Sequence, residues 1–441
     1  MPSTVVIGGG LAGLSAAAAL GSAGFQVRLY EARAFPGGRA TSFPVSPADE
    51  ESELIDNCQH VLLRCCINLL DFYQRLGVSH CIRFYQEFYF VEPGGRVSTL
   101  RSGRFPAPFH MAESFLRMKC LDLRDKLGIA RALADLRRER TRRHDLDRIS
   151  MLDWLLQKRQ SYNAIQRFWG QVLVSAVNED LGRMAAVHGF QVFWLAFLAR
   201  ADSYQMGVPD VPLRQLYRAE SWARLGDVSL HFRLPVGRIQ IAGDTACGIT
   251  ASGQHIQADY YVCCLPFERL SIVAPELGIE KTRFEHSPIT GIHFWFDRPV
   301  TDLPHATLLD RNIQWMFNKS EGRYLQLVAS GSRDLAAMSR QDIITIGLSE
   351  LKEFFPKAEH TNLLKAQVIK ELRATYSAAP GTEGLRPGAE TPIKNLFLAG
   401  DWTRTGWPPT MEGAVRSGYR AAEAVCSAAG RKGNFLLPDI A

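Results

Sequence analysis

The residues of this chain best suited to chemistry begin with a run of glycines. Gly8-Gly9-Gly10-Leu11-Ala12-Gly13 follows the β-branched run Val5-Val6-Ile7 and precedes the small-residue stretch Leu14–Leu20. The pattern predicts a strand, a tight turn and a helix. Gly8 permits the turn, Gly10 lets the backbone approach a pyrophosphate at the helix N-terminus, and Gly13 lets helix and strand pack closely. Leu11 and Ala12 complete the turn. A second apolar run, Gln26–Tyr30, ends in Glu31. Its distance from the glycines, about twenty residues, suits a carboxylate that accepts hydrogen bonds from ribose hydroxyls and disfavours a 2′-phosphate. Ala32 and Arg33 follow and complete the expected binding strip. The glycine motif alone also reads as an ordinary βα turn, and it is the combination with Glu31 that predicts a dinucleotide.

Two further stretches point to a flavin dinucleotide rather than a nicotinamide one. Gly37-Gly38-Arg39 offers close backbone approach and a cation for the pyrophosphate or the chain beyond it. Near the other terminus, Asn395–Ala399 reads as a buried strand that delivers Gly400-Asp401 to its end, where Asp401 is placed to accept from ribityl hydroxyls. Pro408-Pro409 stops the loop and Thr410 is the expected N-cap of a helix running from Met411 to about Ser427. The first turn, Met411-Glu412, aims the positive end of that helix at the site, where it suits the negative charge of a reduced flavin.

These motifs are similar to those of the FAD-dependent amine oxidase and phytoene desaturase superfamily. Within it, Asp56-Asn57-Cys58-Gln59-His60-Val61-Leu62-Leu63 and Ala399–Gly418 resemble the squalene-associated branch, the hydroxysqualene dehydroxylases. The family pattern carries glycines where this chain has Cys58 and Arg64, and a positive φ at either position would store about 1–3 kcal/mol of strain. The resemblance implies an α/β fold: a discontinuous, Rossmann-like FAD-binding domain of the GR2 type with an inserted α+β substrate domain. The FAD-binding part is expected at 1–83, 208–282 and 377–441. The substrate part is expected at 84–207 and 283–376, with a mixed sheet, a helical subdomain and a basic helical region at 112–148. Val228–Ile241, Gly248–His255 and Ala258–Pro266 read as successive strands, and the resemblance places the backbone of Val236 against the adenine. An ordinary core valine is the other reading of that position.

Composition fits a compact enzyme of more than one domain: 46% hydrophobic and 22% charged residues in 441. The first strand begins at once after Met1 and no apolar run approaches the roughly 20 residues that span a bilayer. The chain therefore reads as cytoplasmic, with peripheral contact to the inner face of the cytoplasmic membrane as a companion reading. Nine cysteines without a C-x-x-C or other metal-ligand spacing read as reduced thiols, and no metal site is expected. Much of the +6 net charge lies between Arg117 and Arg148, where eleven Lys or Arg face six Asp or Glu. Leu123, Leu127, Ala130, Ala134 and Leu136 recur there at helical spacing. That face either meets anionic lipid or packs on the protein. No nucleic-acid module accompanies the charge.

Apolar and aromatic stretches offer either a long substrate tunnel or plain core. They are Phe84, Tyr85, Phe88, Tyr89 and Phe90; Phe190–Phe197; and Phe294-Trp295-Phe296. The resemblance favours an apolar isoprenoid and implies reductive removal of a hydroxyl from hydroxysqualene to give squalene. That reaction needs a general acid. His60, oriented or charged by Asp56, is the first candidate, although a structural histidine is the alternative; Glu412 is the second, or else it serves only the helix dipole. A carotenoid or phytoene desaturase and an amine oxidase are the alternative activities. No second dinucleotide fingerprint marks a reductase site, so the electron donor is left open.

Overall fold

The computed structural model describes residues 1–46, 53–279 and 284–440. The junction expected at 282/283 lies outside these residues. A five-stranded sheet forms the nucleotide-binding half. Its order is Val228–His231, Gln26–Tyr30, Ser3–Ile7, Tyr260–Cys263 and Leu396–Leu398. Every pairing is parallel. Three widely separated stretches of chain thus build one sheet. Burial on both faces explains the unbroken apolar runs: Val5, Val6, Val27, Leu29 and Val262 are all fully buried. The register pairs Ile7 with both Tyr30 and Cys263, and Cys263 with Leu398. Gly8, Glu31, Cys264 and Ala399 therefore emerge side by side at the carboxyl edge, where ligands of such sheets bind.

Helix Leu11–Ser22 is buried along nearly all its length between this sheet and the terminal helix Met411–Ala428. The approach is close because both helices present small residues. A Cβ at Gly418 would lie 2.1 Å from Ser15 Oγ and 2.3 Å from Ala12 O.

The stretch expected as one strand from Val228 to Ile241 is two. Val228–His231 joins the parallel sheet, whereas Val236–Ala242 pairs antiparallel with Thr245–Ala251 in a separate three-stranded meander. Arg233 at φ +57° turns the chain between them, just ahead of Pro235, which lacks the N–H a continuous ladder needs.

The second half is organised on a seven-stranded mixed sheet in the order Leu363–Tyr376, His286–Phe296, Tyr324–Ser330, Trp315–Ser320, His305–Leu308, Glu87–Val91 and Val97–Arg101. Its one parallel pairing joins His305–Leu308 to Glu87–Val91. Alternation gives the sheet two buried faces. Ile292, Phe294, Met316, Leu325 and Leu327 pack beneath helix Arg340–Phe354, where Gly347 lets Ile292 and Phe294 approach. Ile289, Trp315, Phe317 and Val328 face the helical subdomain instead.

The basic region folds as two helices rather than one. Ala112–Arg117 is followed by Leu123–Glu139, which starts at a reciprocal capping box between Asp122 and Asp125. Of the two readings of its apolar face, packing on the protein holds only for Leu136. Asp125, Ile129, Ala132 and Leu136 are buried, whereas Leu123, Leu127, Ala130 and Ala134 are exposed. Asp125 turns inward because Ser161 Oγ donates to its carboxylate, and this sets the rotation of the helix. No helix among the described residues is long and apolar enough to cross a membrane. All nine cysteines are free, and no cluster of three or more metal-ligating side chains occurs among the described residues.

Candidate active site

At the carboxyl edge of the parallel sheet the two glycine loops meet. Gly37 N donates to Gly9 O at 2.8 Å, and Gly10 and Gly37 form a parallel bridge. Gly37 and Gly38 have φ of +109° and +60°, and a Cβ on Gly38 would sit 2.9 Å from Gly10 Cα. These positions need glycine both for conformation and for space. Gly13 packs so tightly that a Cβ would fall 1.9 Å from Gly8 O. The result is a trough of bare backbone at the start of a helix.

Glu31 closes one end. Its carboxylate accepts from Gly9 N at 2.7 Å and from Arg33 N at 2.8 Å, and each oxygen keeps acceptor capacity for a ribose hydroxyl. Arg33 in turn donates to Gly38 O at 3.0 Å, which ties Ala32 and Arg33 to the second loop. Leu234 N donates to Glu31 O at 3.0 Å, so the buried Val236 lies two residues from this end of the trough.

The other end joins the termini of the chain. Arg39 Nη2 and Asp401 Oδ1 are 2.5 Å apart, and Arg39 Nη1 also donates to Ala374 O at 2.9 Å. Burial alone would lower the Arg39 pKa, but Asp401 outweighs it and the guanidinium is held above its ordinary value. Asp401 thus has an ionic partner that the sequence did not suggest. Ser417 Oγ accepts from Gly400 N at 2.8 Å, which fixes the loop to the terminal helix. Thr410 is the N-cap, with Oγ1 accepting from Gly413 N at 3.1 Å. As in any first turn, the N–H groups of Met411 and Glu412 have no intrahelical acceptor and point positive charge outward.

Arg386 is a positioning residue that no local pattern revealed. Fully buried, it donates to the carbonyls of Asp401, Thr403 and Trp407 and to Thr405 Oγ1, and so shapes the whole loop from 401 to 407.

The Asp56–Leu63 segment lies beside this site, but its members do not pair as expected. Asp56 accepts from Ser42 Oγ at 2.7 Å and Leu213 N at 3.0 Å, and Lys319 Nζ stands 3.6 Å away. Its carboxylate makes no hydrogen bond to His60 among the described residues, so it does not orient the ring. His60 Nδ1 contacts Cys58 O at 2.9 Å instead. Burial lowers the His60 pKa more than Cys58 O and Asp56 raise it, so the ring is neutral at pH 7. Cys58 is a buried thiol pushed up to about 12 by desolvation. Neither Cys58 nor Arg64 has a positive φ, so neither substitution strains the backbone. Arg64 stacks on Phe84 at 4.0 Å and donates to Gln205 at 2.8 Å.

Glu412 has a structural role. Oε2 accepts from Leu69 N at 2.7 Å, and Oε1 accepts from Asn68 Nδ2 at 2.8 Å and Asn68 N at 3.3 Å. The carboxylate caps helix Ile67–Arg75, whose own N-cap position, Cys66, provides no side-chain bond. Burial still pushes the Glu412 pKa up to about 7.

Lys319 was missed because a lone lysine on a strand carries no signal. Its ammonium donates to Gln59 Oε1 at 3.0 Å, and Gln59 lines a large apolar cavity. The cavity runs from Cys58, Trp407 and Thr410 beside the nucleotide site into the helical subdomain. Phe88, Phe90 and Phe197 line it as expected, together with Trp315, Phe317 and Val328. Phe190 and Phe193 are core, and Phe294 and Phe296 lie on the opposite face of the sheet.

Glycine trough, acidic ribose partner, the Arg39–Asp401 ion pair and helix N-terminus fit a flavin dinucleotide from adenosine to isoalloxazine. Comparison with known proteins agrees. The profile of the family described as "Flavin containing amine oxidoreductase" matches residues 11–426. Among curated relatives, a probable zeta-carotene desaturase of Synechococcus elongatus is 27% identical over 96% of this chain and 98% of its own. The 15-cis-phytoene desaturase of the same organism is 26% identical over 95% of both. Hydroxysqualene dehydroxylase of Zymomonas mobilis is 26% identical over 97% of this chain and all of its own. In fold, an oxidoreductase from Methanosarcina mazei superposes with a TM-score of 0.69 at 19% identity, covering 94% of this chain and 98% of that one. Putrescine oxidase bound to putrescine superposes at 0.71 and 15% identity, covering 97% and 99%. The chain is thus a FAD-dependent oxidoreductase and belongs to the flavin-containing amine oxidoreductase family.

Proposed function

We propose that this enzyme reductively dehydroxylates hydroxysqualene to squalene. The observation that carries the reading is Gln59, whose amide lines a largely apolar cavity next to the flavin site and accepts from the Lys319 ammonium behind that wall at 3.0 Å. The apolar walls suit a long isoprenoid, and the pair suits one oxygen on it. Loss of that hydroxyl breaks a C–O bond with both electrons going to oxygen, which leaves as water once protonated. The remaining allylic cation is closed by hydride at carbon. Bound FAD, in its reduced form, supplies that hydride.

The chain's own residues orient and protonate. Gln59 holds the substrate oxygen through its amide, and Lys319, whose ammonium is bonded to Gln59 Oε1 behind the cavity wall, is the proton source we assign. His60, neutral and bonded to Cys58 O, shapes the site beside them. The surrounding apolar side chains exclude water, which would otherwise trap the cation.

Desaturation of a carotenoid is the second reading, supported by the likeness to a zeta-carotene desaturase and a phytoene desaturase. It would use the same cavity but would not require Lys319. The test is product analysis by chromatography. Reduced holoenzyme given hydroxysqualene is expected to form squalene. Oxidised holoenzyme given phytoene or ζ-carotene with a quinone is expected to leave them unchanged. Desaturated products in the second incubation and none in the first would replace the proposal with its alternative.

A further inference from the structure

Sixteen large hydrophobic side chains are strongly exposed among the described residues, and seven of them fall between residues 105 and 162. Five lie on the two basic helices and the loop before them. Phe105 is 52% exposed, Phe109 65%, Leu116 61%, Leu123 67% and Leu127 51%. They belong together in space. Lys126 Nζ donates to Leu116 O at 2.8 Å, bringing the start of the second helix against the end of the first. Gly103 N bonds to His110 O at 2.6 Å, which closes the Phe105–Phe109 loop against the start of the first helix. Arg117, Lys119, Arg124, Arg131 and Arg137 are exposed around them and form no ion pair among the described residues. The acids on these helices are largely engaged. Asp125 is buried and bonded to Ser161, Asp122 caps its own helix, Asp135 pairs with Arg138, and Glu113 lies 3.7 Å from Arg104.

We propose that this surface docks the enzyme on an anionic lipid bilayer. Exposed aromatic and leucine side chains enter the acyl boundary, while the arginine and lysine stems lie along it with their charges at the headgroups. A soluble partner face would not need so many unpaired cations, and single apolar residues at these exposures are ordinary whereas a cluster ringed by cations is not. The patch also adjoins the cavity. Helix Ala112–Arg117 packs on strand Val97–Arg101, Ser114 Oγ donates to Arg101 O, and Leu100 of that strand lines the cavity. Docking here would place the cavity wall at the lipid. The inference does not depend on which isoprenoid is the substrate.

The test is flotation of the FAD-bound enzyme with vesicles of phosphatidylcholine alone and with about 30 mol % phosphatidylglycerol added. Wild type is expected to float with the anionic vesicles, to stay behind with the neutral ones, and to be released by salt. In Arg124→Glu/Arg131→Glu, partitioning is expected to fall at least 25-fold, from roughly fivefold per neutralised cation. For Leu123→Glu/Leu127→Glu a loss of at least tenfold is expected. Because all four side chains are exposed, flavin content and turnover of detergent-dispersed substrate should match wild type in both variants. Failure of wild type to float, or flotation of both variants like wild type, overturns the proposal. So does dependence on the arginines alone with displacement by an RNA homopolymer, which would make the surface a polyanion site.

Discussion

Two residues that the sequence places 362 positions apart, Arg39 and Asp401, form the partly buried ion pair that joins the two halves of the flavin motif. Breaking a partly buried pair leaves the remaining charge uncompensated. Arg39→Ala is therefore expected to lower FAD affinity by ten- to a hundredfold, measured by quenching of flavin fluorescence on binding. Unchanged affinity would show that the pair is incidental.

Lys319 and His60 are separated by a second substitution test. Lys319→Met is expected to slow single-turnover dehydroxylation by roughly 10²–10⁴-fold, the range for losing a general acid. His60→Ala should cost less than tenfold, with FAD content intact in both. The reverse ranking would return the acid role to His60.

Glu412 links charge to stability. Its folded pKa, about 7, lies above the unfolded value near 4.5. Ionisation therefore costs the folded state: stability is greatest below the unfolded pKa, falls as pH rises from 4.5 to 7, and is level above. Glu412→Ala should lose the Asn68 and Leu69 cap, costing about 1–3 kcal/mol, and should flatten that pH dependence in denaturant melts. An unaltered slope would place the dependence elsewhere. At this scale the sequence disclosed side chains whose roles are local, such as the Thr410 cap and Glu31 beside the glycines. It did not disclose Arg386 or Lys319, because their partners come from distant segments and neither carries a spacing of its own.

Elements explain why the motifs converge. Parallel register brings the ends of four strands to one edge, and close packing of Leu11–Ser22 on Met411–Ala428 holds the terminal helix at the angle that aims Thr410 and Met411. Gly418→Val would drive two methyl groups into Ser15 and Ala12 O, and overpacking of this kind costs about 1–3 kcal/mol or more. Purified Gly418→Val is expected to carry much less FAD per chain than wild type. Full occupancy would mean that the helix tolerates displacement.

Element type was legible where the pattern was strong, as in the Met411–Ala428 helix and the strand Leu396–Leu398. It was ambiguous where two amphipathic choices competed. On Leu123–Glu139 the leucine spacing left open which face packs, and the Asp125–Ser161 hydrogen bond and Ile129 decide it. The strand Leu363–Tyr376 went unseen because it exposes Leu364 and Leu372 while half-burying Lys370 and Glu371, so no apolar period of two shows. Similarly, Val228–Ile241 looked continuous because the left-handed Arg233 leaves no mark in composition.

At the scale of the molecule, the seven-stranded sheet separates two apolar layers. One is core under helix Arg340–Phe354, and the other opens as the cavity that reaches the flavin site. Aromatic stripes in sequence belong to both, which is why of the expected aromatic lining only Phe88, Phe90 and Phe197 face the cavity. Ala176 lines the cavity well away from the nucleotide motifs. Ala176→Phe should raise the KM for a long isoprenoid by at least tenfold, with less effect on kcat and none on the flavin spectrum; an unchanged KM would move the substrate elsewhere.

The most direct test of the account is anaerobic. The holoenzyme is reduced with dithionite and freed of excess reductant, then mixed with hydroxysqualene in detergent while absorbance near 450 nm is followed and the product extracted. Return of the oxidised-flavin spectrum with one squalene per flavin is the predicted result. A flavin that stays reduced, with hydroxysqualene recovered intact, would contradict it.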